Sequence, residues 1–300
     1  GHAARDAGAD AADGGGAGCT VAVDGGTVAC TTQIVSAHDY DLYCALKADG
    51  RINCWGSDGY AFVFPPYGTI WTTAIAKAPP HLVQLAMTNG LTSDPMNHLL
   101  CGVDREGTGT CWSDQGSKTI GQGLRAIATS IFGLCTLDAT GAVACGTAFV
   151  APPATGVYAR IVASEELAGA LDVAGVPFYP YATFPAGTYV DIAANDARHV
   201  AAVRSDGAAV FLGPGPGAPT VRSGSFTHAA VDYNGRGCAI DAAGAITCWA
   251  SAADGGVPAP TPPAGTFVQI AGATETFCAV RTSGTTACFG DTPIEAPAGW

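Results

Sequence analysis

The sequence predicts an all-β fold, a single closed β-propeller of short three- to four-stranded blades, on three observations. A hairpin phrase recurs along the chain, and a short apolar strand precedes most copies of it. The composition of 41 Gly, 19 Pro and only 13% charged residues suits short strands joined by turns rather than surface helices. Repeats of this size cannot bury their faces alone, so they must stack on one another.

The cysteines define the hairpins. The 12 cysteines form six consecutive pairs, and five pairs are ten residues apart with a Gly six residues after the first Cys. With Cys44 opposite Cys54, the loop is Ala48-Asp49-Gly50, a common three-residue hairpin loop that uses Gly for positive φ. In the remaining pair the cysteines are eleven residues apart, and a two-residue Asp24-Gly25 loop would likewise place Cys19 opposite Cys30. The predicted disulfides are Cys19–Cys30, Cys44–Cys54, Cys101–Cys111, Cys135–Cys145, Cys238–Cys248 and Cys278–Cys288.

Metal binding or redox chemistry is the alternative for paired cysteines. Both usually use Cys-x-x-Cys, which does not occur in this sequence. We therefore predict structural clasps, each contributing roughly 2 to 3 kcal/mol by the chain-entropy estimate. Such clasps imply an oxidising compartment, namely the cell exterior, a periplasm or the cell surface.

Two further copies of the phrase lack cysteines. One puts Gly169 opposite Tyr179, and the other puts Ala201 opposite Phe211. In both, a small residue faces an aromatic ring, so we expect packing to replace the covalent bond. The count is then eight hairpins, whose first clasp positions are residues 19, 44, 101, 135, 169, 201, 238 and 278.

The preceding strands and the two ends of the chain favour a closed ring over a straight solenoid. Typical preceding strands are "GTFVQIAGA" (265–273) and "GTYVDIAAN" (187–195). The first hairpin has no such strand before it, whereas the chain ends on "APAGW" (296–300), which reads as the start of one. We expect this segment to supply the missing strand and close the ring.

The phrase "CALKADGRINCWG" (44–56), preceded by an apolar strand, resembles the repeat of the regulator of chromosome condensation family. It is most similar to the short-repeat bacterial branch, which includes the propeller-type β-lactamase inhibitor proteins. The resemblance covers the chain from about residue 19 and implies a β-propeller, usually of seven blades, whose activity resides in variable loops. Eight hairpins favour eight blades here, with seven as the alternative, because the interval of 25 between the first two copies is too short for a full unit.

Charge and hydropathy exclude some partners. The net charge of −12 would repel nucleic acid, and no stretch approaches the roughly 20 apolar residues of a membrane span. Residues 1–18 lack aromatic and branched apolar side chains, so we expect a flexible leader, following a removed signal or lipid anchor, ahead of a propeller domain at 19–300. A monomer is expected.

No catalytic residue, metal ligand or cofactor is predicted. The chain has no nucleophile elbow, zinc-protease, P-loop or dinucleotide motif. His199 and His228 stand at strand positions without evident catalytic partners, and there a histidine more often satisfies a local hydrogen bond. A propeller can still assemble a site from distant blades, so a hydrolase or lyase with its site at the propeller mouth stays an alternative.

The candidate binding site is a long loop between Cys44 and Cys101, where the repeat interval reaches 57. Long loops in compact proteins tend to be functional, and aromatic side chains give large contact areas. We expect recognition of another protein or a surface polymer, with inhibition of a secreted enzyme implied by the resemblance. The alternatives are an outer strand with a surface flap, and a purely structural display module. The candidate residues within 57–80 are Tyr60, Phe62, Phe64, Tyr67 and Trp71.

An aromatic residue follows the second Cys in four copies. Recurrence in register is typical of packing between units, so these side chains are predicted to be core rather than a site. They are Trp55, Trp112, Trp249 and Phe289.

Overall fold

The computed structural model describes thirteen stretches of the chain, and every element with complete bounds in them is a β-strand. The strands form seven antiparallel sheets of three or four strands and one separate two-stranded hairpin. Among these residues, no helix has the length and apolar character that crossing a bilayer requires. The described stretches are 20–23, 26–37, 41–57, 75–87, 100–113, 116–130, 133–146, 149–164, 167–195, 199–213, 219–250, 256–291 and 294–300.

Each sheet is one blade, and its strands follow the order of the chain. The separate hairpin is β1 (Thr20–Val23) and β2 (Gly26–Ala29). Blade 1 is β3 (Thr31–Ser36), β4 (Asp41–Lys47) and β5 (Ile52–Ser57); blade 2 is β6 (Leu82–Met87), β7 (Leu100–Asp104), β8 (Gly109–Trp112) and β9 (Ser117–Gly121); blade 3 is β10 (Leu124–Ser130), β11 (Gly133–Asp138) and β12 (Val143–Cys145). Blade 4 is β13 (Tyr158–Ser164), β14 (Leu167–Asp172) and β15 (Pro177–Phe178); blade 5 is β16 (Tyr189–Ala194), β17 (Val200–Arg204), β18 (Ala209–Leu212) and β19 (Thr220–Arg222). Blade 6 is β20 (Phe226–Val231), β21 (Gly237–Asp241) and β22 (Ile246–Trp249); blade 7 is β23 (Phe267–Gly272), β24 (Thr276–Arg281) and β25 (Thr286–Gly290).

The predicted clasps are confirmed in five blades. Each pair of cysteines lies directly opposite in the ladder between the second and third strands, with Cα atoms 4.0 to 4.1 Å apart. Gly50 has the expected positive φ of 85° in the three-residue turn. Cys30 is also disulfide-bonded, and β1 pairs with β2 in the predicted register, with Val23 opposite Gly26. Cys19 lies outside the described residues.

The cysteine-free hairpin of blade 4 packs as predicted, and the hairpin of blade 5 has the predicted strand pairing. Ala201 pairs directly with Phe211 in blade 5. In blade 4, the Tyr179 ring covers Gly169 so closely that a β-carbon on the glycine would lie 2.5 Å from it. In blade 4 the Tyr179 ring therefore occupies the space that a disulfide fills in other blades, whereas the Phe211 ring of blade 5 lies against Trp249 of blade 6.

The blades form a ring, in which each first strand contacts the first strand of the next blade and β23 of blade 7 contacts β3 of blade 1. The glycine turn of one blade also bonds to the first strand of the next: the Gly141 carbonyl accepts from Tyr158 N–H at 2.8 Å. The Gly284 carbonyl accepts from Thr31 N–H at 2.9 Å, so the same bond closes the ring between blades 7 and 1.

Two expectations need correction. The sequence favoured eight blades over seven, but the described residues form seven. The chain continues from β2 through Cys30 directly into β3 of blade 1, so the first hairpin stays a separate two-stranded sheet and is not an eighth blade. The C-terminal "APAGW" is also not a strand. The Trp300 carbonyl accepts from Thr286 N–H at 2.6 Å, and the Lys47 ammonium lies over the Trp300 ring. The terminus thus fills the space between blades 7 and 1, while β3 and β23 close the ring.

The core lies between blades. Trp112 is fully buried and packs with the apolar side chains of blades 1 and 2. The Trp55 indole reaches Cys288 of blade 7, and the Trp249 ring lies 5.3 Å from that of Phe211 in blade 5. Phe289 is partly buried in the cluster between blades 6 and 7. These contacts confirm the predicted core role of the four aromatic residues.

Candidate functional site

The first strands of the seven blades line a central channel of about 1080 Å³. We call the end of the ring with the glycine turns the turn end. The opposite end, where first strands turn into second strands and third strands leave the blades, is the loop end. The channel wall extends from Gly284 at the turn end to Ser36 and Gly272 towards the loop end.

Every first strand carries a register shift near its start, where one residue is skipped in pairing with the second strand. Such a bulge redirects the next side chain. We call the residue after the bulge the latch position. Its occupants in blades 1 to 7 are Gln33, Gln84, Ala126, Arg160, Asp191, His228 and Gln269.

Three glutamines use this position to hold the next blade. The Gln33 amide oxygen accepts from Leu85 N–H at 2.7 Å, and its nitrogen donates to the Leu85 carbonyl at 3.1 Å. Gln84 makes the same pair of bonds to Ile127 of blade 3. Gln269 accepts from Ile34 N–H at 2.8 Å, so this latch spans the closure of the ring.

Blades 3 to 6 depart from the glutamine pattern and form what we call the charged arc, namely Arg125, Arg160, Asp191 and His228. The Arg160 guanidinium donates to Asp191 at 2.5 Å, and His228 Nδ1 lies 3.4 Å from the other carboxylate oxygen. Asp191 also accepts from Ala229 N–H at 3.1 Å and so latches blade 6. Arg125 donates to the carbonyls of Tyr158 and Ala159 in blade 4.

The carboxylate at the centre of the arc is buried, whereas its neighbours are partly open. The Asp191 side chain is 7% exposed, and those of Arg160 and His228 are each 26% exposed. Burial alone would raise the pKa of Asp191, but Arg160, His228 and the Ala229 N–H outweigh it and hold the pKa below its usual value. Asp191 therefore stays ionised and fixes two partly exposed side chains on the channel wall.

A second polar cluster lies at the loop end, between blades 6 and 7. The fully buried Arg236 donates to Asp232 at 2.6 Å, to both carboxylate oxygens of Asp291 at 2.8 Å, and to the Glu275 carbonyl at 2.6 Å. Burial raises the pKa of Asp232 to about 6, against the opposing effect of Arg236. Arg236 is fully buried and bonded to all three residues. We therefore assign this cluster a structural role, in which it joins the turn between β20 and β21 of blade 6 to the loop-end residues of blade 7.

The aromatic residues of the predicted binding loop lie outside the described residues, so their role stays a prediction. The structure does show that β5, which leads into that loop, ends at Ser57 at the loop end, opposite Asp41. Of the two histidines considered in the sequence, His199 is buried at the loop end, and His228 contacts Asp191 of a neighbouring blade. In the described part of the chain, no three side chains have the spacing of a metal site.

The charged arc was not expected from the sequence. Its signal is nevertheless present, since the aligned strands read "VQLA", "VQIA", "ARIV", "VDIA" and "THAA", with the latch residue at one fixed place. A departure from a repeat at a fixed position is the kind of local inconsistency that often marks function.

The fold and channel define this chain as a β-propeller, and comparison with solved structures agrees. The ectodomain of the Physcomitrella patens receptor kinase CR4 matches with a TM-score of 0.61 and 17% identity, over 91% of this chain and 77% of that one. The β-propeller domain of Cps50 (Swd1) from Myceliophteria thermophila matches with a TM-score of 0.58 and 10% identity, over 92% and 99%.

A structure of Kap60 bound to yeast RCC1 (Prp20) matches with a TM-score of 0.53 and 12% identity, over 87% of this chain and 80% of that one. At such identities the likeness shows the fold alone. No protein-family model and no curated protein matches the sequence.

Proposed function

We propose that this chain is an extracytoplasmic recognition protein, a monomer that binds another protein or a surface polymer through its loop end. The observation that carries the proposal is the contrast between the two ends of the ring. At the turn end, short glycine turns bond to the next blade and leave little room for variation. At the loop end, connections between first and second strands vary from two residues after Ser164 to twelve after Met87. Unequal loops on a rigid scaffold are typical of binding faces.

Two further observations support this proposal. The disulfides indicate an oxidising environment, and one structural neighbour is the ectodomain of a receptor kinase. Inhibition of a secreted enzyme is the specific form that the sequence resemblance implies. The loop of residues 57–80, with Tyr60, Tyr67 and Trp71, is the proposed centre of the binding face.

The test is a triple substitution, Tyr60→Ala, Tyr67→Ala and Trp71→Ala, in the full chain. The intact protein is first used to capture partners from the native secretome, and the affinity for the captured partner is then measured for both proteins. We expect an unchanged melting temperature and binding at least about thirtyfold weaker, since one aromatic anchor is commonly worth 2 kcal/mol. Tyr181→Ala is the matched control, because Tyr181 is 89% exposed and follows the third strand of blade 4, well away from the 57–80 loop between blades 1 and 2.

A destabilised triple variant with unchanged affinity would instead identify these aromatics as packing residues of their own blade. Equal weakening by the Tyr181 control would show a different binding surface. Either outcome refutes the assignment of this loop as the binding site.

The alternative of a hydrolase or lyase at the propeller mouth has less support at the loop end. Asp232 and Arg236, the charged pair buried there, bond to each other and are both fully buried. A general acid or base must reach the proton that it transfers. This pair is sealed from a substrate, so we retain binding as the proposed function.

A further inference from the structure

The charged arc lies nearer the turn end than the proposed binding face, and its chemistry points to a separate ligand. In blades 1, 2 and 7 the latch glutamines use their amides on the next blade. Arg160 and His228 occupy the same position but turn to Asp191 instead. The arc thus has the guanidinium of Arg160 and the imidazole of His228 on the channel wall, in place of two structural glutamine latches.

One consequence concerns the backbone of blade 5. A guanidinium has no acceptor, so Arg160 cannot accept the N–H of Ile192 as a glutamine would. N–H directions alternate along a strand, and Asn195 N–H bonds within its own blade. Ile192 N–H, three residues earlier, therefore faces the channel side, beside Arg160.

The unsatisfied groups in the arc are donors. The Nε atoms of Arg125 and Arg160 are buried and out of reach of a ligand, but Arg125 Nη1 and Arg160 Nη2 are not buried and have no acceptor among the described residues. Arg125 bonds only to carbonyl oxygens in that part of the chain, so its charge has no carboxylate partner there. Buried polar groups normally find partners, and a set of donors is completed by a molecule that supplies acceptors.

The local charge also favours an anion, because it is positive. The arc places two arginines against one carboxylate, whereas the whole chain has a net charge of −12. A channel wall of low dielectric strengthens the field of such charges. A volume of about 1080 Å³ also accommodates a small molecule. We infer that the charged arc of Arg125, Arg160, Asp191 and His228 binds a small oxyanion, a molecule carrying a carboxylate, sulfate or phosphate group.

Asp191 has a defined part in this site. It holds Arg160 in place, and its own negative charge opposes the ligand. Removing the arginine charges and removing the carboxylate should therefore change anion affinity in opposite directions.

The experiment titrates the full-length protein with inorganic phosphate, sulfate and malonate at constant ionic strength, by calorimetry. We expect saturable binding of at least one probe, and the tightest of the three identifies the group that the site prefers. Arg125→Gln and Arg160→Gln should each weaken that binding by about tenfold or more. The matched control is Arg222→Gln, which removes the same charge from an exposed site on the outer strand of blade 5 and should change affinity less than twofold.

Asp191→Asn keeps an acceptor for Ala229 N–H and should tighten binding. The melting temperature of each variant is measured alongside, and if Asp191→Asn does not fold, the two arginine variants decide. The inference is overturned if no probe saturates the protein below about 10 mM, or if Arg222→Gln weakens binding as much as the arc variants do. Unchanged or weaker binding by a folded Asp191→Asn variant would also overturn it.

Discussion

Gln269 gives the sharpest test of how the ring closes. Its amide oxygen accepts from Ile34 N–H at 2.8 Å, and Ile34 is only 3% exposed. Gln269→Ala would leave this N–H buried without its acceptor. Leaving one buried donor unsatisfied costs about 1 to 3 kcal/mol, which lowers the melting temperature of a chain of this size by a few degrees.

Two further variants isolate the cause. Gln269→Glu keeps an acceptor at the same place, and a carboxylate already performs this task in blade 5, where Asp191 accepts from Ala229 N–H. We expect this variant to be more stable than Gln269→Ala. Gln84→Ala removes an equivalent latch inside the ring, between blades 2 and 3, and should have a similar cost.

The assay combines urea unfolding with hydrogen exchange. Gln269→Ala should speed exchange in β3 and β23, whereas Gln84→Ala should do so in β6 and β10. Unchanged stability and exchange in Gln269→Ala, together with a destabilised Gln84→Ala, would refute the role of this latch in closing the ring.

Two other predictions follow from the loop-end cluster and from blade 5. The folded protein binds the Asp232 proton more tightly than the unfolded chain does, with a pKa of about 6 against 3.8, so this group lowers stability as the pH rises from about 4 to 6. Asp232→Asn should remove this pH-dependent loss of stability, which is about 3 kcal/mol at most. The prediction is contradicted if the urea midpoints of the wild-type protein and the variant change in the same way from pH 4 to 7. Ala201→Cys with Phe211→Cys should form a seventh clasp, because the two residues pair directly. The gain of roughly 2 to 3 kcal/mol is offset by the lost packing of Phe211 on Trp249, and two free thiols in mass spectrometry would refute the pairing.

The hairpins could be predicted from the sequence because their determinants are local. Cys44, Gly50 and Cys54 lie within eleven residues, and the turn chemistry of that segment alone sets the register. The same holds for Tyr179 over Gly169. Such features depend on cross-strand geometry and not on how the blades are arranged.

Blade number and closure could not be predicted in the same way. They depend on Thr31 meeting Gly284, which is a contact between residues at nearly opposite ends of the chain. The short interval after the first hairpin was a sign that β2 leads straight into β3. The local sequence of "APAGW", however, does not show whether this segment forms a strand or packs irregularly around Lys47.

The charged arc also depends on the assembly. In the sequence, Arg160, Asp191 and His228 are separated by more than thirty residues each and match no catalytic spacing. They meet only because bulges at the same place in adjacent first strands direct their side chains towards the neighbouring blade. Reading the repeat in columns identifies the position, but the contacts require the curvature of the ring.

The placement of the disulfides has a consequence for how the protein is made. Every clasp in the described residues joins a cysteine to the next one along the chain, within a hairpin that needs no other blade to form. An oxidase that joins cysteines in the order in which they leave a translocation pore would therefore produce the native set. Maturation of this chain should depend little on a disulfide isomerase, and each of the five disulfide-bearing blades should be covalently complete before the ring assembles.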